Sequence, residues 1–151
     1  MSVKVTGVDK AISSMYMKVN HIETAVDRNI KNGAFAVESD AIKSVQTENM
    51  GTWVTRYTDK GTPYDHVAAK AGSAPNTDTG NLVSNIQAVK NMSGDGSWLV
   101  GSSLDYAKFL EFGTTSDGGH MGARPWLIPA LESNRSWVYK NIQRAVREQL
   151  R

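Results

Sequence analysis

A glycine-rich stretch between Gly113 and Arg124, GTTSDGGHMGAR, is the first candidate for chemistry in this sequence. Glycine loops can hold phosphates through their backbone N–H groups, but a phosphate loop also needs Lys followed by Ser or Thr. No Lys lies between Lys108 and Lys140, and the G-x-G-x-x-G spacing of dinucleotide sites is absent. We therefore interpret the stretch as a hinge with a flexible tip between two packed segments, YAKFLEF and RPWLIPAL.

Other residue types with catalytic or metal-binding chemistry are scattered along the chain. The histidines His21, His66 and His120 lie far apart, and H-E-x-x-H and G-x-S-x-G are both absent. The absence of cysteine excludes disulfides, thiolate metal sites and thiol catalysis. Asp105 and Glu111 are the remaining candidates for an acid/base pair, but lone carboxylates are more often surface or ion-pair residues. We predict no catalytic residue, no metal ligand, no cofactor and no enzymatic activity.

The charge distribution indicates one modest basic segment. Residues 124–151 hold six basic and two acidic side chains, whereas the whole chain has a net charge of only +2. This segment is interpreted either as the solvated face of a helix or as a non-specific surface for phosphates. We expect no signal peptide and no membrane contact, because the first residues lack an apolar core and no apolar run approaches ~20 residues.

The N-terminal third has the apolar spacing of a long helix, over about residues 8–48. Apolar residues recur there at three-, four- and seven-residue steps. The dipeptide Asn32-Gly33 leaves two alternatives open, one continuous helix or two helices with a kink. A helix of this length exceeds ~50 Å at 1.5 Å per residue. We therefore expect part of it to pack on another subunit.

Residues 51–79 are rich in turn formers and are predicted to form a long loop. The segments TDKGTPYDH and AGSAPNTDTG carry most of the Gly and Pro in this part of the chain. Trp53 and Tyr57 lie at its start. They are interpreted either as anchors that hold the loop to the core or as contacts for a partner.

The remaining elements indicate an α+β domain with a small antiparallel sheet, a single domain over residues 1–151. In the sheet region, residues 82–112, strands are predicted at 86–92 and 97–101, joined by the turn SGDG. The aromatic segment 106–112 is either a short helix or a third strand. A C-terminal helix is predicted over about residues 125–150, with Pro125 in its first turn.

Four segments occur in a familiar order: APNTDTGNL, a hairpin ending WLVGSS, YAKFLEFGT and ARPWLIPAL. This order, over roughly residues 74–133, resembles the head–tail joining and tail-completion (neck) proteins of long-tailed bacteriophages. The sequence departs from that pattern in three ways. Two residues, rather than the usual one, separate Pro75 from Asp78; Trp126 replaces the usual Phe; and the segment 51–73 is longer than expected.

The resemblance implies structural roles for the residues that carry it. Asp78 and Thr79 are expected to cap or close a turn. Gly80 and Gly113 are expected to adopt backbone angles that other residues disfavour. Pro125 is expected to start a helix, and Trp126 to hold that helix against the sheet. Glu111 and Arg124 flank the glycine stretch, and we predict that they pair across its base. The structural or interface residues expected in this way are Asp78, Thr79, Gly80, Glu111, Gly113, Arg124, Pro125 and Trp126.

The resemblance also implies a function and a set of partners. Such proteins form rings, commonly hexameric, between the capsid connector and the tail, around the channel through which the genome leaves. The expected partners are further copies of the chain, the neighbouring neck or connector protein, the tail terminator or tail tube protein, and the passing DNA. The expected location is the virion, after assembly in the host cytoplasm. Alternatives are a ring that terminates the tail tube, a small nucleic-acid-binding protein and, from a third class, a cell-wall hydrolase.

Overall fold

The computed structural model describes residues 6–115 and 120–150, and it confirms the α+β class. A long helix comes first, followed by two antiparallel hairpins, two short helices and a C-terminal helix. In chain order the elements are α1 (Val8–Gln46), β1 (Gly51–Tyr57), β2 (Pro63–Ala69), α2 (Asn81–Asn85), β3 (Ile86–Lys90), β4 (Trp98–Ser102), α3 (Ala107–Phe112) and α4 (Ile128–Leu150).

The first helix is continuous over 39 residues, so the alternative with a kink at Asn32-Gly33 is wrong. Gly33 is buried where α1 meets α4, and a Cβ there would lie 2.7 Å from Cγ2 of Val138. The glycine weakens the helix by about 1 kcal/mol relative to alanine, but its missing side chain lets the two helices approach closely. Farther along, Asn134 Nδ2 donates a hydrogen bond to Asp40 Oδ2 at 2.7 Å, so the helices run antiparallel.

The predicted loop at residues 51–79 is wrong over most of its length, because β1 and β2 form a hairpin there. The strands pair from Gly51 with Ala69 to Tyr57 with Pro63. Thr58 and Thr62 close the turn, where the N–H of Thr58 donates to the carbonyl of Thr62 at 2.9 Å. The turn formers that suggested a loop lie at this turn and in the connection after β2.

The two aromatic residues of β1 are not anchors of the core. Trp53 is 73% exposed and Tyr57 is 69% exposed. They share one face of the hairpin, because every second side chain of a strand points to the same side and these two are four residues apart. Of the two interpretations of these residues, the core anchor is wrong.

The second hairpin, the short helix and the C-terminal helix are close to the predictions. β3 and β4 pair from Ile86 with Ser102 to Lys90 with Trp98, around the predicted turn. The segment after them forms the helix α3 and not a third strand. The last helix begins at Ile128, so Pro125 precedes it and does not lie in its first turn.

The core lies between the second half of α1 and the elements that follow the first hairpin. Its buried members come from α1, α2, β3, α3, the hinge after α3, and α4: Val37, Ala41, Val45, Leu82, Ile86, Ala107, Trp126 and Ala130. On one flank Phe35 contacts Trp98, with ring centroids 5.6 Å apart. Residues 8–21 of α1 lie outside this body, and all of them are exposed.

Candidate interaction site

The buried carboxylate of Glu111 caps the N-terminus of α4. Glu111 is 6% exposed, and its Oε2 accepts hydrogen bonds from the N–H groups of Trp126 at 2.8 Å and Leu127 at 3.0 Å. Its Oε1 accepts a third from the N–H of Ile128 at 2.9 Å. The first N–H groups of a helix have no partner within the helix, and a negative charge there interacts favourably with the helix dipole. All three bonds hold the chain that enters α4, which is a structural task for this carboxylate.

The predicted ion pair between Glu111 and Arg124 is wrong, because each side chain has other partners. Arg124 Nε donates to the carbonyl of Ala69 at 2.8 Å, and one of its terminal nitrogens donates to the carbonyl of Gly122 at 3.3 Å. The N–H of Arg124 donates to the carbonyl of Leu110 at 2.6 Å. Arg124 therefore joins the end of the glycine stretch to α3 and to the last residue of β2.

The two ends of the glycine stretch lie against each other. Gly113 has a φ of 75°, and a Cβ there would lie 2.6 Å from the carbonyl oxygen of Met121. Thr114 and Met121 form an isolated antiparallel bridge, in which the N–H of Thr114 donates to the carbonyl of Met121 at 2.9 Å. The tip that we predict to be flexible, residues 116–119, lies outside the described residues.

The last two residues singled out in this segment differ in their burial. Trp126 is 2% exposed and belongs to the core cluster with residues of α1, β3 and α4. Pro125 next to it is partly buried. Trp126 thus packs the end of the hinge against α1. Two residues earlier in the chain, Arg124 binds the hinge to β2.

Of the roles expected for Asp78, a cap on the short helix α2 is wrong; Asp78 ties the first hairpin to the body. The residue before α2 is Gly80, with a φ of 78° and no side-chain cap. Asp78 accepts a hydrogen bond from Tyr64 Oη at 2.9 Å and lies 3.1 Å from a guanidinium nitrogen of Arg56. Its other neighbour is Nδ1 of His66, at 3.8 Å. The hydrogen bond to this carboxylate raises the pKa of Tyr64, because it stabilises the neutral phenol.

Two residues that the sequence analysis did not select hold the root of the hairpin. Asn76 Oδ1 accepts from the N–H of Asn49 at 2.7 Å, and its Nδ2 donates to the carbonyls of Asn49 at 2.9 Å and Val67 at 2.8 Å. Thr77 Oγ1 donates to the carbonyl of Val45 at 2.9 Å, near the end of α1. The available signal was the spacing between Pro75 and Asp78, since these are the two residues that lie between them.

A cavity of about 490 Å³ opens between the first hairpin, α3 and the hinge. Its apolar lining includes residues of α1, β2, α2 and α3, and its polar lining includes Asp78, Thr79 and Arg124. Cavities with an apolar lining and a few polar groups are typical sites for a ligand or for the side chains of a partner. Within residues 6–115 and 120–150, no group of His, Asp and Glu side chains is arranged to hold a metal ion.

Two elements extend from the body and carry exposed apolar side chains. One is the outer face of the first hairpin, with Trp53 and Tyr57. The other is residues 8–21 of α1, where Met15 is 68% exposed and Val8, Ile12 and Val19 are each about half exposed. Scattered apolar residues are normal on a protein surface, but grouped ones on projecting elements are typical of interfaces. No helix in the described part of the chain is long and apolar enough to cross a membrane.

Comparison with known proteins agrees with this picture of a protein built for contacts. Residues 10–113, more than half of the chain, match the family model described as "Bacteriophage HK97-gp10, putative tail-component". The matched range runs from the first turn of α1 to the residue after α3. Neither the curated proteins nor the solved structures contain a match.

Proposed function

Since the chain belongs to the HK97-gp10-like family of bacteriophage tail components, we propose that it forms a ring, most simply a hexamer, that completes the tail and joins it to the capsid connector. The family assigns it to the virion as a structural protein of the tail. The ring, its position at the joint and the absence of catalysis are our proposal. The partners are further copies of the chain, the connector protein, and the tail terminator or tube protein, with the genome passing through the channel.

The observation that carries this proposal is the projecting first hairpin with its exposed aromatic face. Trp53 and Tyr57 lie on one side of a two-stranded sheet, and the opposite side is held to the body through Arg56, Tyr64 and His66 beside Asp78. An isolated two-stranded hairpin is only marginally stable in water. In this protein Asn76 fixes the root of the β1–β2 hairpin. A hairpin that is anchored at its root and apolar on its free side is suited to insertion into a neighbouring protein.

The hinge supports the same function. Its ends are fixed by the cap on α4 and by Arg124, and the cavity beside them is lined by residues of the first hairpin, α1, α2 and α3. None of the candidate acid/base chemistry is assembled there, because Glu111 is buried against backbone N–H groups. In this fold these groups hold the hinge, which favours an assembly protein over an enzyme.

The decisive experiment uses purified protein mixed with tails that lack heads. Native mass spectrometry measures the subunit number, and negative-stain imaging shows whether the protein caps one end of the tail. A ring, or a monomer that becomes a ring on the tail end, is the expected result. A protein that ignores tails and binds DNA would overturn the proposal in favour of the nucleic-acid alternative. A cap that then fails to bind heads would favour the tail-terminator alternative.

A pair of variants links this assay to the hairpin. We expect the double substitution Trp53→Ser and Tyr57→Ser to weaken capping by at least about tenfold, because buried aromatic anchors commonly contribute 2 kcal/mol or more to an interface. Met92→Ser is the matched control, because Met92 is 93% exposed on the turn of the other hairpin. Equal capping by the two proteins, with unchanged circular dichroism, would remove the hairpin face from the interface.

A further inference from the structure

The strand β1 turns every second residue away from its partner β2. Just before β1, the carbonyl of Met50 accepts from the N–H of Lys70 at 3.2 Å. Just after it, the N–H of Thr58 donates to the carbonyl of Thr62 at 2.9 Å. Hydrogen-bonded positions alternate with non-bonded ones in an antiparallel pair, so bonds at residues 50 and 58 leave the odd-numbered residues of β1 with N–H and C=O groups that point away from β2. These outward residues include Trp53, Thr55 and Tyr57.

The two edges of this hairpin differ, because the β2 edge is closed and the β1 edge is open. The outward carbonyl of Val67 accepts from Asn76 Nδ2 at 2.8 Å. That of Ala69 accepts from Arg124 Nε at 2.8 Å, and Pro63 has no N–H. Along β1, by contrast, no group of residues 6–115 or 120–150 bonds the outward N–H and C=O groups, and five of the seven residues of the strand are exposed. Proteins commonly block exposed sheet edges against pairing with other chains, so an edge left open beside a closed one indicates a surface that binds a strand.

The side chains of β1 define the kind of strand that fits this edge. An added strand lies ~4.8 Å away, and its side chains alternate between the same two faces. One face of β1 carries Trp53 and Tyr57, which are 73% and 69% exposed and favour apolar neighbours. The other face carries Arg56, whose side chain is 50% exposed and lies 3.1 Å from Asp78, and β1 has no acid of its own. The segment that fits is therefore apolar at alternate positions on one face and acidic beside Arg56 on the other.

The strands of a second copy of this chain do not meet these requirements in a ring. The β2 edge is blocked where it would receive β1 of the next copy. Two β1 edges would pair about a two-fold axis, and such a pair does not repeat from neighbour to neighbour around a ring. The strands β3 (IQAVK) and β4 (WLVGS) hold no acid that could lie beside Arg56. The segment that fits the open edge therefore comes from a different protein.

We propose that the open edge of β1 binds an extended segment of the protein at the end of the tail, through main-chain hydrogen bonds to Trp53, Thr55 and Tyr57. In strand addition of this kind, the backbone bonds give affinity and alternate side chains give specificity. The inference deepens the proposed function, on which it rests, by naming the surface and the chemistry of the segment that it takes. The tail end is favoured over the connector, because the matched family model of a tail component includes all of β1.

Proline substitutions on the two edges test this binding with a matched control. Thr55 and Asp65 lie opposite each other, and both direct their N–H groups away from the partner strand, so proline at either position keeps the β1–β2 ladder. Both substitutions also remove the hydrogen bond from Thr55 Oγ1 to Asp65 at 3.3 Å. Thr55→Pro is expected to weaken the capping of tails that lack heads by at least about tenfold, because it removes an edge donor and its ring obstructs an incoming strand. Asp65→Pro should weaken capping by less than about threefold, and equal capping by the two variants would overturn the proposal.

Amide hydrogen exchange with residue-level mass spectrometry examines the edge of the unaltered protein. In the free protein, the N–H groups of Val54 and Arg56, which point toward β2, should exchange more slowly than the outward ones of Trp53, Thr55 and Tyr57. On tails, exchange at the three outward positions is expected to slow by at least about tenfold, because these groups become bonded to the added strand. Unchanged exchange at all three positions in the tail-bound protein would overturn the proposal, whatever the proline variants do.

The remaining outcomes separate this inference from the proposed function. Full capping of tails by Thr55→Pro protein would sink the edge and leave the joining role intact. Self-association of the wild type that Thr55→Pro abolishes in the absence of tails would assign the edge to a second copy and overturn the proposed partner. Wild-type protein that binds heads but not tails would likewise move the partner to the connector. Wild-type protein that binds neither would remove the joining role and this inference with it. Far-UV circular dichroism of each variant shows that the body remains folded.

Discussion

Replacing Glu111 tests whether the hinge and α4 depend on one buried carboxylate. Its two oxygens accept three backbone hydrogen bonds, from Trp126, Leu127 and Ile128, at 2.8–3.0 Å. Glu111→Ala removes both acceptor oxygens and leaves the buried N–H of Trp126 and the partly buried N–H groups of Leu127 and Ile128 without their partner. Glu111→Gln keeps the shape, but it removes the charge and turns an NH₂ group toward N–H donors.

The expected cost follows from these contacts. A buried donor left without a partner costs about 1–3 kcal/mol, and the lost helix-dipole interaction adds up to about 1 kcal/mol. Since water can reach the donors that are only partly buried, we expect about 3–5 kcal/mol for Glu111→Ala and about 2–3 kcal/mol for Glu111→Gln. For a chain of this size, 1 kcal/mol corresponds to about 2–4 °C in Tm. The Gln variant should therefore melt about 4–12 °C below the wild type.

The assay is urea denaturation followed by circular dichroism, with thermal melting as a second measurement. Glu132→Gln is the matched control: Glu132 lies in α4, but its side chain is 58% exposed, and its ion pair with Arg135 at 3.6 Å is on the surface. That control should change the free energy of unfolding by less than about 0.5 kcal/mol. If Glu111→Gln is as stable as Glu132→Gln, the carboxylate is not the cap that holds α4, and the reasoning is refuted.

Three further predictions concern the helix crossing, the hairpin root and the hairpin's pH response. Gly33→Leu should lower the free energy of unfolding by about 1–3 kcal/mol, because its side chain would overlap Val138. Urea denaturation measures this loss. The control is Gly101→Ala, which should leave the free energy of unfolding unchanged because a Cβ there meets nothing within 4 Å. Asn76→Asp should lower the free energy of unfolding by about 2–4 kcal/mol, since Nδ2 of Asn76 donates to two carbonyls. If the exposed Asn81→Asp lowers the free energy of unfolding by as much, the expectation is contradicted. Asp78→Asn should lower the pKa of Tyr64 toward its ordinary value near 10.0, because the hydrogen bond to Asp78 is what raises it. The raised pKa stabilises the fold below pH 10, and this contribution is lost as the pH rises through the folded value; a spectrophotometric titration in which Tyr64 is unchanged by Asp78→Asn would refute the assignment.

The elements that the sequence predicted well are those with a strong local pattern. The long helix has an apolar period that runs through Asn32-Gly33, and the hairpin at 86–102 has an Asp-Gly turn between two apolar strands. Their existence depends on residues three, four or about ten positions apart. Such neighbours are visible in the sequence because helix and tight-turn geometry bring them together whatever the rest of the fold does.

The first hairpin was missed because its local pattern is weak. β1 exposes both of its aromatic residues, β2 starts at a proline, and neither GTWVTRY nor PYDHVAA alternates apolar with polar residues. Its stability comes from pairing and from its root, where Asn76 and Asp78 reach it from the following loop. Polar contacts over nine or more residues of separation follow from the tertiary fold and have no periodic signature.

Local patterns in the sequence predict the α+β class, a first helix longer than the rest of its domain, and the ordered motifs that resemble phage neck proteins. The contacts of the charged and polar residues in those motifs follow only from the folded chain. Glu111 meets backbone N–H groups and not Arg124, and Asp78 meets β1 and β2 and not the start of α2. When a side chain has several possible partners, distance and burial determine which of them it contacts. Both quantities are defined only in the folded chain.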